Sequence, residues 1–402
     1  MPEPIPIVKG EGVLLTDING NSYIDAISSW WVTLHGHGHP YIASKIYEQA
    51  QTLEQVIFAG FTHEPAVSLA ERLLPVLPGN FSKVFYSDDG STSTEVAVKM
   101  ALQFWWNKGE KKRSKILALT NGYHGDTFGA MSISDRSIFT TAFREKLFDV
   151  IFIDPPDTGE TSLPVNIPAD EIACFIYEPL IQGAGGMNMF SADGLNELIK
   201  LCHQQNIICI ADEVMTGFGR TGKWFASAYM EETPDIICLS KGLTGGTMAL
   251  GVTACTNEIY QAFNDEDKLK TFFHGHSFTA NPLACTAALA SLDLLEKDEC
   301  RLQIENISSM HTQLITKLKT QNLKHKTIKN LRSLGTILAF EIETGNDGYL
   351  NNISREITIM ALKKGVYLRP LGNTVYIMPP YCITKEQLQK LYAVILEIVA
   401  GF

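Results

Sequence analysis

The sequence lacks most of what would place it outside the reducing, aqueous interior of a cell. Its eight cysteines form no CxxC pair, and several (Cys174, Cys209, Cys238) sit inside apolar runs. That pattern excludes a disulfide framework and predicts a reduced, cytoplasmic chain. No run of eighteen or more apolar residues occurs, so no membrane-spanning helix is expected. Met1 to Ile7 is broken by proline instead of being basic and apolar, so no secretory leader is expected. Positive charge is scarce as well: 33 Lys and Arg against 44 Asp and Glu give a formal charge of -11. Such a balance disfavours nucleic acid as a partner, and the basic stretch from Lys108 to Lys115 reads as a solvated loop. With 45% hydrophobic and 19% charged residues the chain is ordinary for a globular protein, and 402 residues suit one large or two ordinary domains.

What is present centres on residues Ile207 to Gly246. Two short apolar runs, Ile207-Ile208-Cys209-Ile210-Ala211 and Ile236-Ile237-Cys238-Leu239-Ser240, are each bounded by turn residues. This predicts strands buried on both faces, as in a parallel sheet, whose carboxyl ends form a ligand crevice. The first run ends in Asp212-Glu213 and the second in Lys241, so an acid and an amine would stand side by side. A lysine after a buried strand can simply open a surface loop. It can also join a carbonyl cofactor through an imine while the acid pairs with a ring nitrogen. Spacing alone does not choose between these.

Other stretches add structure and candidates. Val13 to Ile27, with Asp17, Asn19 and Gly20 between alternating apolar residues, predicts a hairpin. It leads to Trp30-Trp31, which on a strand would face opposite sides, so that only one would be core on a given face. In His35-Gly36-His37-Gly38-His39 alternate histidines could share a face and bind zinc, but no cysteine or carboxylate lies nearby in sequence, and no metal site is expected. Pro65 to Leu77 has helical spacing. Val84-Phe85-Tyr86, the turn Ser87 to Thr94 and a helix over Val96 to Trp106 form a strand, turn and helix N-terminus of the kind that binds phosphate, although Ser and Thr also cap helices without a ligand. Ile116 to Leu119 and Cys174 to Tyr177 read as further buried strands, Ser291 to about Leu323 as a long helix, and Ile337 to Ile342 and Val375 to Pro379 as strands of a smaller α+β region.

The stretch Ala211-Asp212-Glu213-Val214-Met215-Thr216-Gly217-Phe218-Gly219-Arg220-Thr221-Gly222, with Pro234-Asp235-Ile236 and Ser240-Lys241-Gly242-Leu243-Thr244-Gly245-Gly246, resembles the signature of the class III pyridoxal-phosphate aminotransferases. The resemblance runs from Gly10 to the C-terminus and is greatest to the biotin-pathway branch, which aminates 8-amino-7-oxononanoate. It implies a fold-type I α/β architecture: a large domain with a mostly parallel seven-stranded sheet, and a smaller α+β domain made from both termini. The implied division is 1–35, 36–290 and 291–402. Pyridoxal 5'-phosphate would be held by Lys241 and Asp212, stacked by Tyr123 with His124 beside it. Gly90 and Ser91 would cup its phosphate, and Ser277, beside His276, would reach it from the other subunit of a homodimer. Lys241, Asp212 and Tyr123 would be catalytic, and Asp126 would fix the Tyr123 loop.

By the same resemblance Trp30, Trp31, Tyr123, Arg220 and Gly275 would line the substrate pocket, and Arg369 would clamp the substrate carboxylate. The implied amino donor is S-adenosylmethionine, with lysine open. Ala184 stands where ornithine and 4-aminobutyrate types carry a glutamate, and Met215 where many relatives carry a glutamine. A broad ω-amino acid or diamine transaminase is the rival reading. The family's aromatic-rich segment ahead of the position of Pro4 has no counterpart here, so the chain is shortened or another residue closes that wall.

Overall fold

Apolar runs without polar alternation need cover on both faces. In the structure, a computed structural model that describes residues 4–156, 163, 168–325, 327–343 and 353–402, the strands Ile172–Tyr177, Ile208–Asp212 and Ile236–Leu239 are buried at every residue. They occupy the middle of a seven-stranded sheet, whose order is Phe81–Ser87, Gly251–Thr256, Ile236–Leu239, Ile208–Asp212, Ile172–Tyr177, Lys115–Leu119, Ile151–Ile153. Gly251–Thr256 pairs antiparallel with both neighbours, and the remaining pairs are parallel. The architecture is thus the α/β fold with a mostly parallel sheet that the resemblance implies.

Successive strand residues feed opposite layers. Cys174, Ile176 and Ile210 pack with Val96, Ala97, Ala101 and Phe104 of the helix Gly90–Asn107. Phe175, Tyr177 and Cys209 face the other way, into the main core with Leu195, Leu198 and Cys202 of the helix Ala192–Gln204. Each fully buried large apolar side chain contributes about 1.5–3 kcal/mol relative to exposure, so this double cover holds the strand ends rigidly.

Segments distant in sequence meet beside the sheet. The hairpin Leu14–Asp17 and Ser22–Asp25 forms as expected, and Ser22–Asp25 also pairs in parallel with Val366–Tyr367. A second sheet joins Ile328–Leu334, Ile337–Ile342 and Thr374–Ile377.

Two expectations are corrected. Instead of one helix over Ser291 to Leu323, Pro282–Leu295 and Asp298–His325 are separate, broken after the cap at Glu296. The first is almost wholly buried and packs on Pro40–Ala50 and Glu64–Leu73, whereas the second covers Ile328–Leu334, so one straight axis cannot serve both. The tryptophan pair does not lie on a strand. Ser28–Trp31 is a single distorted helical turn, with Ser28 (φ 52°), Ser29 (φ 61°) and Trp31 (φ 68°) in the left-handed region. Trp31 is buried and Trp30 is 53% exposed.

Candidate active site

The floor of the site is laid by two adjacent strand ends. Asp212 lies opposite Cys238 in the parallel ladder, and Lys241 follows two residues beyond the end of Ile236–Leu239. The buried Asp212 carboxylate accepts from Val214 N at 3.1 Å, and its other oxygen lies 2.7 Å from His124 Nδ1. Lys241 has a left-handed backbone (φ 45°), a strained state for a non-glycine residue that the packing around it must hold. Its amine lies 5.0 Å from the Trp31 ring centroid. Burial depresses the amine's pKa below the usual lysine value, and the Asp212 and Glu178 carboxylates oppose that in part.

At one side the strand Phe81–Ser87 runs through a short turn into the helix Gly90–Asn107. Asp89 caps this helix by accepting from Thr92 N at 2.8 Å, and Thr92 Oγ1 accepts from Asp89 N at 3.0 Å. The first-turn amides have no acceptor four residues back, so they and the helix dipole favour an anion beside Gly90 and Ser91. Ser91 Oγ in turn accepts from Asp126 N at 3.1 Å. Gly125 makes that approach possible: at φ +132° a Cβ would lie 2.2 Å from Ser91 Oγ.

The loop after Lys115–Leu119 carries Tyr123, whose phenol donates to Asp126 at 2.8 Å. Burial holds that phenol's pKa above its ordinary value, with Asp126 adding to the effect. Tyr123 N and Gly183 N both donate to Glu178, at 3.0 and 2.9 Å. Burial, reinforced by the Asp212 charge, pushes the Glu178 carboxyl up to about 7, against the pull of His124 and the two amides. Sequence reading passed over Glu178 as a site residue. The available signal was its position: like Asp212, it stands at the carboxyl end of a fully buried strand.

These elements enclose a cavity of about 780 Å³ lined by Trp30, Trp31, Gly90, Ser91, Tyr123, His124, Asp212, Lys241 and Arg369, with Glu178, Ala184 and Met215 also on its surface. Trp31 Nε1 donates to Tyr376 OH at 2.9 Å, and the Arg369 guanidinium lies 4.0 Å from the Trp30 ring centroid. Four named candidates stand apart from this lining. Arg220 is buried behind the wall, where its guanidinium donates to the carbonyls of Pro379 (3.1 Å) and Thr33 (3.1 Å) and lies against the Tyr381 ring, so it holds the wall from outside. His276 Nδ1 is 3.3 Å from the Asp88 carboxylate at the rim. Gly275 and Ser277 are exposed, and the Ser277 carbonyl accepts from Gln55.

The family model for Aminotransferase class-III matches residues 1–399. The chain belongs to the class-III aminotransferases. Its relatives include proteins named adenosylmethionine-8-amino-7-oxononanoate aminotransferase from Synechococcus elongatus, 45% identical across 99% of this chain and 95% of that one, and from Helicobacter pylori, 38% identical across 98% and 92%. Among solved structures, the protein of that name from Methanocaldococcus jannaschii superposes with a TM-score of 0.91 at 34% identity, covering 99% of this chain and 93% of that one.

Class-III aminotransferases depend on pyridoxal phosphate, and the site suits that group. The helix N-terminus suits a dianionic phosphate, the Asp212 carboxylate suits a protonated ring nitrogen, and an amine whose pKa is depressed by burial suits an aldehyde. His124 Nε2 is buried without a partner among the described residues, while its other nitrogen stays on Asp212.

Proposed function

We propose that this aminotransferase converts 8-amino-7-oxononanoate to 7,8-diaminononanoate by ping-pong chemistry, with S-adenosylmethionine as amino donor. The carrying observation is the pairing of the Lys241 and Asp212 floor with a wall of two indoles and an arginine. An aliphatic chain of several carbons fits against tryptophan faces, and a terminal carboxylate suits the planar fork of Arg369. Ala184 leaves the turn after Gly183 without the acid that selects other substrates.

When bound, the cofactor acts as an electron sink for the carbon bearing the amine. Asp212, held in place by His124, would keep a proton on the ring nitrogen. The Lys241 amine would hold the cofactor at rest and, once freed by substrate, would move the substrate Cα proton as general base and acid. Tyr123 would cover one face of the ring, and its bond to Asp126 fixes that loop. Gly90 and Ser91 would take the phosphate, joined by Ser277 and His276 from the second subunit of a homodimer, and Gly275 would line the substrate side. We place the enzyme in the cytoplasm. No helix among the described residues is long and apolar enough to cross a membrane. Residues 1–35 and 291–402 form the smaller domain in this reading and 36–290 the larger.

The test is an absorbance titration of cofactor-loaded protein. S-adenosylmethionine should bleach the visible band of the lysine-bound cofactor, and 8-amino-7-oxononanoate should restore it. Bleaching by lysine alone would move the donor and leave the acceptor. A lysine-bound band that persists in Lys241→Ala would overturn the whole assignment.

A further inference from the structure

The histidine-rich loop, left without a role by the sequence, is tied to the tryptophan turn. His37 Nε2 lies 2.9 Å from Asp25 Oδ2, and the same oxygen accepts from Ser29 Oγ at 2.9 Å. The other oxygen of Asp25 accepts from Ile27 N at 3.3 Å. Asp25 is fully buried, so its charge needs these donors. His37 is held as firmly: its backbone exchanges hydrogen bonds with Gly12 at 3.1 and 2.7 Å, and a Cβ on Gly10 would sit 2.6 Å from His37 Cβ. His35 meets Ser291 instead, so the histidines of the loop serve separate partners.

The turn that this network grips is strained. Three non-glycine residues at positive φ in one turn persist only where their surroundings over-determine them. Asp25 holds the turn from below through Ser29, Ser28 Oγ donates to the Met378 carbonyl at 2.7 Å, and Tyr376 fixes the Trp31 indole. What the strain secures is the position of both indoles: Trp31 against Lys241, and Trp30 against Arg369.

We propose that Asp25 and His37 form a latch that sets the tryptophan turn and thereby the cavity's selectivity for long-chain carboxylate substrates. Both are positioning residues, since neither lines the cavity. The inference rests on the long-chain substrate reading given above.

The test compares His37→Leu, which removes the donor to Asp25, His37→Gln, whose amide can replace it, and Ser29→Ala, which releases the turn while leaving Asp25 paired. In the holoenzyme, His37→Leu should raise KM for 8-amino-7-oxononanoate about tenfold with kcat within about twofold, the mark of lost positioning and not lost chemistry. His37→Gln should recover most of the loss, and Ser29→Ala should show the same KM effect in weaker form. Near-ultraviolet circular dichroism of the cofactor-free protein should report the displaced indoles in His37→Leu and their return in His37→Gln. Wild-type KM and wild-type dichroism in both His37→Leu and Ser29→Ala would overturn the latch. Failure of the wild-type enzyme to use the oxononanoate would instead remove the substrate reading, and the dichroism, with KM across a series of ω-amino acids of rising length, would still decide the latch.

Discussion

Lys241 and Asp212 stand at the ends of hydrogen-bonded neighbouring strands, packed on both faces. Trp30 and Trp31, in contrast, come from a helical turn near one end of the chain and Arg369 from an irregular segment near the other, and they meet only through tertiary contacts. The floor inherits its geometry from a sheet that cannot shift without exposing core. The wall depends on a strained turn, two buried hydrogen-bonded anchors and an arginine stacked on an exposed ring. Chemistry common to a whole family can sit on the first kind of support, while substrate choice can change with a few residues of the second. Damage to the floor should therefore appear in kcat and damage to the wall in KM.

The largest effect is expected from Asp212→Asn. The amide keeps the shape and can still meet His124, but it carries no charge to hold a proton on the cofactor ring. A loss of about 10² to 10³ in kcat, as for removal of one preorganised electrostatic contact, should come with little change in KM for the oxononanoate. Steady-state kinetics at saturating cofactor would measure it, and a pure KM effect would erase the division between floor and wall.

That division also explains what could be read from sequence. Strands such as Ile208–Asp212 and Ile236–Leu239 announce themselves as apolar runs, and the acid or amine at or just past each carboxyl end follows from the rule that ligands meet strand ends. Glu178 obeys the same rule yet was missed, because a buried carboxyl that binds two backbone amides has no sequence pattern of its own. The antiparallel strand Gly251–Thr256 was also passed over, since Gly251 and Ala254 in its short run carry weak strand preference and its burial comes from its neighbours. Wall contacts were less legible still. Asp25 and His37 are twelve residues apart, and Trp31 and Tyr376 are separated by 345, so only the fold brings each pair together.

A smaller effect sharpens the picture of the floor. The Glu178 carboxyl rises from an ordinary 4.5 to about 7, so the folded protein holds this proton more tightly than the unfolded chain. Its contribution to stability is fully present below about 4.5 and is lost as pH rises through about 7. At about 1.4 kcal/mol per pH unit, the stability of wild type relative to Glu178→Gln should fall by roughly 3 kcal/mol across that window. Urea unfolding of the cofactor-free proteins at several pH values would measure this. A difference independent of pH would mean that Glu178 ionises as an exposed acid does and that the floor is wetter than its burial indicates.

The smallest effect is expected on the wall, from Arg369→Lys. Charge is kept, but the fork that matches a carboxylate with two parallel hydrogen bonds is lost, and so is the flat face that stacks on Trp30. Lysine would still attract the carboxylate as a point charge, so the cost is the difference between two kinds of cation and not the loss of one. KM for the oxononanoate should rise about tenfold while kcat changes little, and an amine acceptor of similar length without a carboxylate should show no change. Equal losses for both acceptors would place Arg369 in support of Trp30 alone, and the carboxylate would then need another partner. An effect on kcat matching that of Asp212→Asn would mean that floor and wall act as one unit, with the strained turn at Ser28–Trp31 as the part that couples them.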